Sequence, residues 1–391
     1  MSEWKVLTAE DFCDSVRDGT HDTPKQVECG YKLVTAKHIS NGQIDLSDAY
    51  LISESDYLKI NERSKVERWD VLMSMIGNGL GKSAVVKDNP QYAIKNLALF
   101  KIGDETRAKW LHYYLSSNKG QGFIYNSLQG SGQPFISLSL LRKFPIPVPD
   151  DEKIMRKVVA TLSRYDSLIE NYQKQIKLLE EAAQRLYKEW FIDLRFPGHK
   201  NTNIVDGVPE GWEKKKLIDL VDVQYGYAFD GHLFNSKEEG TPIVRIRNIP
   251  DGYTNDYTTE EANESYIIND GDILVGMDGI FHINTWSGGK AFLVQRVCSF
   301  RPKNDSMKGF ILQAIYEPIK FFENTVVGAT VAHLGKKHID SIELLVSKNV
   351  SLYKPFEKKF NERQTLKSQL RLLTEARDRL LPKLMSGEIE I

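Results

Sequence analysis

The chain is poor in the residues that staple or metallate a fold. Its 391 residues include three cysteines, Cys13, Cys29 and Cys298, and none forms a C-x-x-C pair. That argues against a disulfide framework or a zinc ribbon. The eight histidines are scattered, with no H-x₃-H or H-E-x-x-H pattern, so no metal site is expected. No apolar run approaches the roughly eighteen residues of a membrane span. The start, Met1-Ser2-Glu3-Trp4-Lys5-Val6, lacks the charged-then-apolar profile of a secretory signal. The expectation is a cytoplasmic protein without membrane association.

An excess of either charge is also missing, since 52 Lys and Arg face 53 Asp and Glu. Residues 1–150 carry 18 basic and 18 acidic side chains, and residues 192–350 carry 17 and 22. The segments between and after them are slightly positive, at 8 against 7 and 9 against 6. Phosphate neutralisation supplies most of the affinity of a free-standing nucleic-acid binder. A chain balanced like this one is expected to hold DNA only beside a partner that shares the phosphates.

What the chain does have is a repeat. Gln175-Ile176-Lys177-Leu178-Leu179-Glu180-Glu181-Ala182-Ala183-Gln184-Arg185-Leu186 returns, without a gap and 194 residues later (369 − 175), as Gln369-Leu370-Arg371-Leu372-Leu373-Thr374-Glu375-Ala376-Arg377-Asp378-Arg379-Leu380. Such self-similarity has to be read before any local motif. It divides the chain into two globular heads, each followed by a long helix.

The first helix follows Pro145-Ile146-Pro147-Val148-Pro149, with acids at Asp150, Asp151 and Glu152 in its first turn. Apolar residues then fall at Val158, Leu162, Tyr165, Ile169, Tyr172, Ile176, Leu179, Ala183, Leu186 and Trp190. Alternating steps of 4 and 3 are a coiled-coil seam. At about 1.5 Å per residue the rod is roughly 55 Å long. The second helix starts near Pro355 and carries Phe356, Phe360, Leu366, Leu370, Leu373, Leu380 and Leu384, with Arg363 and Arg377 on seam positions. Pro382 is expected to interrupt it. Two seams in one chain are most simply satisfied by antiparallel packing on each other; pairing of each with another molecule is the alternative.

The heads mix strand signals (residues 31–36, 71–76, 84–86, 243–246, 273–275 and 291–294) with helical ones (106–116 and 308–322). They also match each other weakly. Asp70-Val71-Leu72 with Met75 and Gly77 corresponds to Asp272-Ile273-Leu274 with Met277 and Gly279, and 130–148 corresponds to 328–346. The fold expected is α/β (α+β): two mixed globules joined to two long helices packed as an antiparallel coiled coil. The divisions are 1–150, 151–195, 196–350 and 351–391.

Gly77-Asn78-Gly79-Leu80-Gly81-Lys82-Ser83 resembles a phosphate-binding loop, but only three residues separate Gly77 from Gly81-Lys82-Ser83. Such a loop also needs a helix after it, whereas Ala84-Val85-Val86 reads as strand. Asp88-Asn89-Pro90-Gln91-Tyr92 lacks the second proline of an aminomethyltransferase loop, and no F-x-G-x-G motif precedes it. No G-x-S-x-G elbow is present. The residues argue for binding and against chemistry in this chain, and no catalytic residue or metal ligand is assigned.

Gly19-Thr20-His21-Asp22-Thr23-Pro24, Gly30-Tyr31-Lys32-Leu33-Val34-Thr35, Leu186-Tyr187-Lys188-Glu189-Trp190-Phe191, Arg195-Phe196-Pro197-Gly198-His199 and the stretch from Leu380 to Ile389 resemble the specificity subunits of Type I restriction–modification systems. With the repeat, the resemblance covers essentially the whole chain. It implies two target recognition domains, each reading half of a split double-stranded DNA site, and helices that space them and dock two methylation subunits. Restriction subunits would join through that methyltransferase complex. S-adenosylmethionine, ATP and Mg would belong to those partners, with no cofactor in this chain. The setting would be a prokaryotic cytoplasm. Rival readings are a coiled-coil adaptor for other proteins and the specificity subunit of a Type IIG-like system.

Base edges need Arg, Lys, Asn, Gln, Ser or Thr groups on loops at strand ends. The candidates in the first head are Lys37, His38, Ser40, Asn41, Asn78, Lys82, Gln129, Ser131 and Gln133. In the second they are Tyr225, Tyr227, Arg245, Arg247, Asn248, His282 and Thr330. Arg245, Arg247 and Asn248 stand where Thr35, Lys37 and His38 stand, 210 residues earlier (245 − 35). Half-sites read from one face of DNA lie about one turn, roughly 34 Å, apart, which the rod length accommodates. A bipartite site with an uncontacted spacer and two different halves is expected.

Overall fold

The computed structural model describes residues 4–40, 42–130, 134–325 and 332–389. The chain forms two compact units: residues 1–168 with 374–391, and residues 169–373.

In the first unit a four-stranded antiparallel sheet runs, in spatial order, Ser15–Asp18, Leu97–Lys101, Val71–Ser74, Ser83–Val85. A smaller sheet places Tyr31–Val34 between Leu51–Ile52 and Tyr92–Ile94, parallel to the latter. Trp4–Thr8 pairs with Pro145–Pro149. Alternate residues of a strand point their N–H groups to opposite edges, so three prolines of one parity leave one edge able to pair. Ile146 and Val148 of the other parity are buried. Helix Glu105–Ser116, capped by Asp104 accepting from the Arg107 N–H at 2.8 Å, buries Trp110 and Leu111 in the core.

The second unit repeats the plan. Its four-stranded sheet runs Val221–Tyr225, Val297–Pro302, Ile273–Gly276, Ile283–Thr285, and Thr241–Val244 lies parallel to Ala291–Leu293. Trp212–Lys216 pairs with Glu343–Ser347. The equivalence reaches single bonds. Ile136 N–H donates to Met75 O at 3.0 Å, and Leu334 N–H to Met277 O at 2.7 Å. Asp70 accepts from Lys101 at 2.7 Å, and Asp272 from Arg301 at 2.8 Å. Glycines of the first head have counterparts held by the same constraint. A Cβ on Gly19 or Gly226 would lie 2.4 or 2.1 Å from a backbone carbonyl, that of Ile94 or Val294. The chain approaches too closely there for any side chain.

The expected helix over residues 308–322 is two helices, Lys308–Ala314 and Tyr316–Thr325. Pro318 has no N–H for the Ala314 carbonyl, so the first helix ends there and the proline sits in the first turn of the next. Pro382 behaves differently: the C-terminal helix, Lys354–Met385, runs through it. It lies in the last turn, where one bond is lost, and Leu381, Leu384 and Met385 are buried around it.

The central helix is continuous over Glu152–Tyr187, 36 residues and about 54 Å, and ends in a π-helical turn at Lys188–Ile192. Every expected seam residue on the two helices is buried or half-buried, while the off-seam Leu168, Leu178 and Leu372 are exposed. The helices run antiparallel within each unit. In the first, Val158 and Leu162 share a core with Leu381 and Leu384, and Asp166 accepts from Arg377 at 3.1 Å. In the second, Glu180 accepts from Arg363 at 2.6 Å and the rings of Trp190 and Phe356 lie 6.1 Å apart.

Candidate nucleic-acid interface

In the first head, strand Tyr31–Val34 leads into a 3₁₀ turn at Ala36–His38 and a short hairpin in which Ser40 pairs with Gln43. The glycine loop packs on this turn: a Cβ on Gly79 would sit 3.5 Å from the Ala36 carbonyl. Ile76 bridges to Phe135, which exchanges backbone bonds of 2.9 and 3.0 Å with Gln129. The loops at residues 36–40 and 76–82 and the paired residues Gln129 and Phe135 therefore meet on one surface. Lys37, Ser40, Lys82 and Gln129 are exposed there. Residues 83–85 continue as strand after the glycine loop, so no helix N-terminus is available to a nucleotide phosphate. Gly81, at φ +81°, is fixed by Gln121, whose amide donates to its carbonyl at 3.1 Å.

The second head brings the equivalent loops together. The turn Ile246–Asn248 follows Thr241–Val244, and a Cβ on Gly276 would lie 3.3 Å from the Ile246 side chain. Asp278 bridges to His333, as Ile76 does to Phe135. Here a side-chain cluster is added: His333 Nδ1 lies 2.5 Å from Asp278 Oδ1, and Arg296 Nε 3.4 Å from Oδ2. His282 is half-buried beside this loop.

Several expected contact residues have inward tasks. His38 Nδ1 accepts from the Thr35 N–H at 2.8 Å, which leaves the neutral ring's proton on Nε2, 3.2 Å from Asp48 Oδ1 and poorly aligned with it. Burial holds this imidazole below its usual pKa, Asp48 opposing the effect. Asn248 does the same job with an amide: its Oδ1 accepts from the Arg245 N–H at 2.9 Å and its Nδ2 donates to Asp256 at 3.2 Å. Tyr227 packs its ring on Phe229 and Tyr266, and Tyr225 lies half-buried on a strand opposite Cys298. Burial pushes the Tyr225 phenol up to about 12. Arg245 sets its guanidinium 5.4 Å from the Phe234 ring centroid. Asn41, Ser131, Gln133, Thr330 and the side chain of Asn78 lie outside the described residues.

The cations at the turn tips face outward and are backed by acids that the sequence did not single out. Lys37 Nζ donates to Asp48 at 2.8 Å. Arg247 donates to both oxygens of Asp256, Nε at 3.1 Å and Nη2 at 2.6 Å. Burial raises the Asp256 carboxyl, but the bonds from Arg247 and Asn248 outweigh it and hold the group below its usual pKa. Among the described residues no group of three or more His, Cys, Asp or Glu is placed to hold a metal ion, and no helix is long and apolar enough to cross a membrane.

Fold and loops define a class: a duplicated two-head protein, each head presenting an equivalent cluster of polar loops, with the heads joined to antiparallel helices. The chain belongs to the family of the Type I restriction modification DNA specificity domain, whose family model matches residues 1–181 and 209–347. It is 28% identical over 311 residues to the Type I restriction enzyme MjaIX specificity subunit of Methanocaldococcus jannaschii, covering 74% of this chain and 70% of that one. It is 21% identical over 476 aligned positions to the HindI specificity subunit of Haemophilus influenzae, covering 100% of both. The S subunit of a Type I restriction–modification system from M. genitalium has a similar fold, with a TM-score of 0.57 at 17% identity over 98% of this chain and 96% of that one.

Proposed function

We propose that this chain is the DNA-recognition subunit of a Type I restriction–modification system, a specificity component without a catalytic site of its own. The observation that carries the reading is the family match across both heads. The geometry supports it: one backbone wiring occurs twice, with different side chains at the loop tips. Lys37 and His38 in one head stand where Arg247 and Asn248 stand in the other. Two heads of one build but different surface chemistry suit a bipartite, asymmetric site, one half per head. The partners are double-stranded DNA, two methylation subunits seated on the helices, and restriction subunits recruited through them. The methylation subunits would carry S-adenosylmethionine for transfer to adenine, and the restriction subunits ATP and Mg.

The test is co-expression with the cognate methylation subunit, co-purification, and mapping of methylated adenines on the host genome. A methylated bipartite motif with two dissimilar halves and a constant spacer is the expected result. Co-purification without any sequence-restricted methylation would overturn the reading.

A further inference from the structure

The two turn tips share a device of three parts: an outward cation, a carboxylate that grips it, and a capping side chain whose second polar atom faces that carboxylate. Lys37, Asp48 and His38 form it in the first head, and Arg247, Asp256 and Asn248 in the second. The version in the second head is the more rigid. Asp256 is 17% exposed where Asp48 is 65%. Its own N–H donates to Thr254 Oγ1 at 2.9 Å, and its carbonyl accepts from Ile243 N–H at 2.9 Å, which ties it to the strand leading into the turn. Arg247 stands in front of it, 62% exposed.

The bonds to Asp256 occupy the Nε–H of Arg247 and one N–H of Nη2. The two protons of Nη1 and the second of Nη2 remain, and one proton from each nitrogen forms the forward edge of the fork. That edge matches a flat pair of acceptors. A phosphate is a poor occupant, because the Arg247–Asp256 pair carries no net charge to attract it and the carboxylate repels a second anion. A neutral acceptor pair meets no such repulsion, and guanine presents one in the major groove as O6 and N7.

Resting on the DNA-recognition reading above, we propose that Arg247 reads a guanine in the half-site of the second head, with Asp256 as the residue that positions it. Asp256 touches no base. It fixes the guanidinium plane and cancels the charge that would otherwise favour any phosphate. Lys37 on Asp48 has the same wiring without a planar guanidinium, so among the described residues of this turn the first head sets no arginine fork on its carboxylate.

The experiment uses the complex of this chain with its methylation subunit and duplexes carrying the mapped motif. Guanines are replaced one at a time by 7-deazaguanine, which lacks the N7 acceptor. One guanine, in one half-site, is expected to lower binding by the wild-type complex about 10-fold or more. The Arg247→Ala complex should be indifferent at that position and still sensitive to base-pair changes in the other half-site. Asp256→Asn keeps the side-chain shape. It should cut discrimination at that guanine about 10-fold while steepening the salt dependence of non-specific binding by about one ion. A merely structural acid would not move the salt slope.

Arg247→Ala weakening all duplexes equally, with a shallower salt slope, would overturn the proposal and make Arg247 a phosphate contact. So would a wild-type complex indifferent to every 7-deaza substitution in both half-sites. Equal melting temperatures of the variants keep these outcomes from being folding defects. Failure of the wild-type complex to yield any motif would instead sink the parent reading.

Discussion

Replacing Arg363 by Ala is expected to loosen the second head from the C-terminal helix. Arg363 occupies a seam position where a leucine would be the simple choice, yet its side chain is 9% exposed. Its three donors reach Glu180 Oε1 at 2.6 Å, Thr285 Oγ1 at 2.6 Å and Asn284 Oδ1 at 2.8 Å. Breaking a buried ion pair from one side costs about 3–5 kcal/mol. Two features reduce that figure. Glu180 is 38% exposed and can take water in place of the guanidinium. Asn284 and Thr285 keep a donor in Lys367, at 3.1 and 3.2 Å. The net loss should be about 2–3 kcal/mol, or roughly 1 M urea at a slope of about 2–3 kcal/mol per M. Because two units need not melt together, the probe must be local. Hydrogen exchange of the Ile283–Thr285 strand, read against urea, reports this junction. A double-mutant cycle with Glu180→Gln should give a coupling of about 1–2 kcal/mol. Additive effects, or a midpoint shift below about 0.3 M, would refute the claim that this contact holds strand and helix together.

Lys367 is buried in the same junction, and burial, reinforced by Arg363, holds its ammonium well below the usual lysine pKa. The unfolded chain therefore binds the proton more tightly, so stability should rise with pH up to the unfolded value near 10.5. The urea midpoint of the wild type should climb relative to Lys367→Met as pH rises toward 10.5, and parallel curves would contradict the assignment. Cys13 and Cys298 are buried, and burial pushes both thiols up to about 12, while Cys29 is exposed. Iodoacetamide under native conditions should label Cys29 alone by peptide mass mapping, with the other two reacting only in denaturant.

The scaffold was largely legible because periodicity records it. The seam steps located the two helices, and short apolar runs located some strands of each head, such as Val71–Ser74 and Ile273–Gly276, but not their sheet neighbours Leu97–Lys101 and Val297–Pro302. Prolines were less transparent: Pro318 splits a helix and Pro382 does not, and the difference is position within the helix and packing around it. The candidate interface was legible only in part. His38 and Asn248 carry base-reading chemistry, but each turns back to cap its own turn, and that depends on a backbone conformation no side-chain pattern announces. Asp48 and Asp256 were missed because they follow their cations by 11 and 9 residues. Loops of unequal length deliver them to the same place, so no fixed spacing marks them.

That inequality explains how one build can hold two surface chemistries. The bonds that place the loops are carried by backbone groups or by acids facing inward. Ile136 and Leu334 donate to Met75 and Met277 whatever side chain precedes them, and Phe135 in one head can be His333 in the other. Asp70 and Asp272 accept equally from a lysine and an arginine. Substitution at an outward tip therefore leaves the loop where it was. At Arg247 the tip is not independent, because its aim depends on Asp256, and a change of base preference there requires two residues to change together. Positions of the first kind should tolerate single replacements with little loss of fold. At the second kind, a single replacement should cost discrimination before it costs fold.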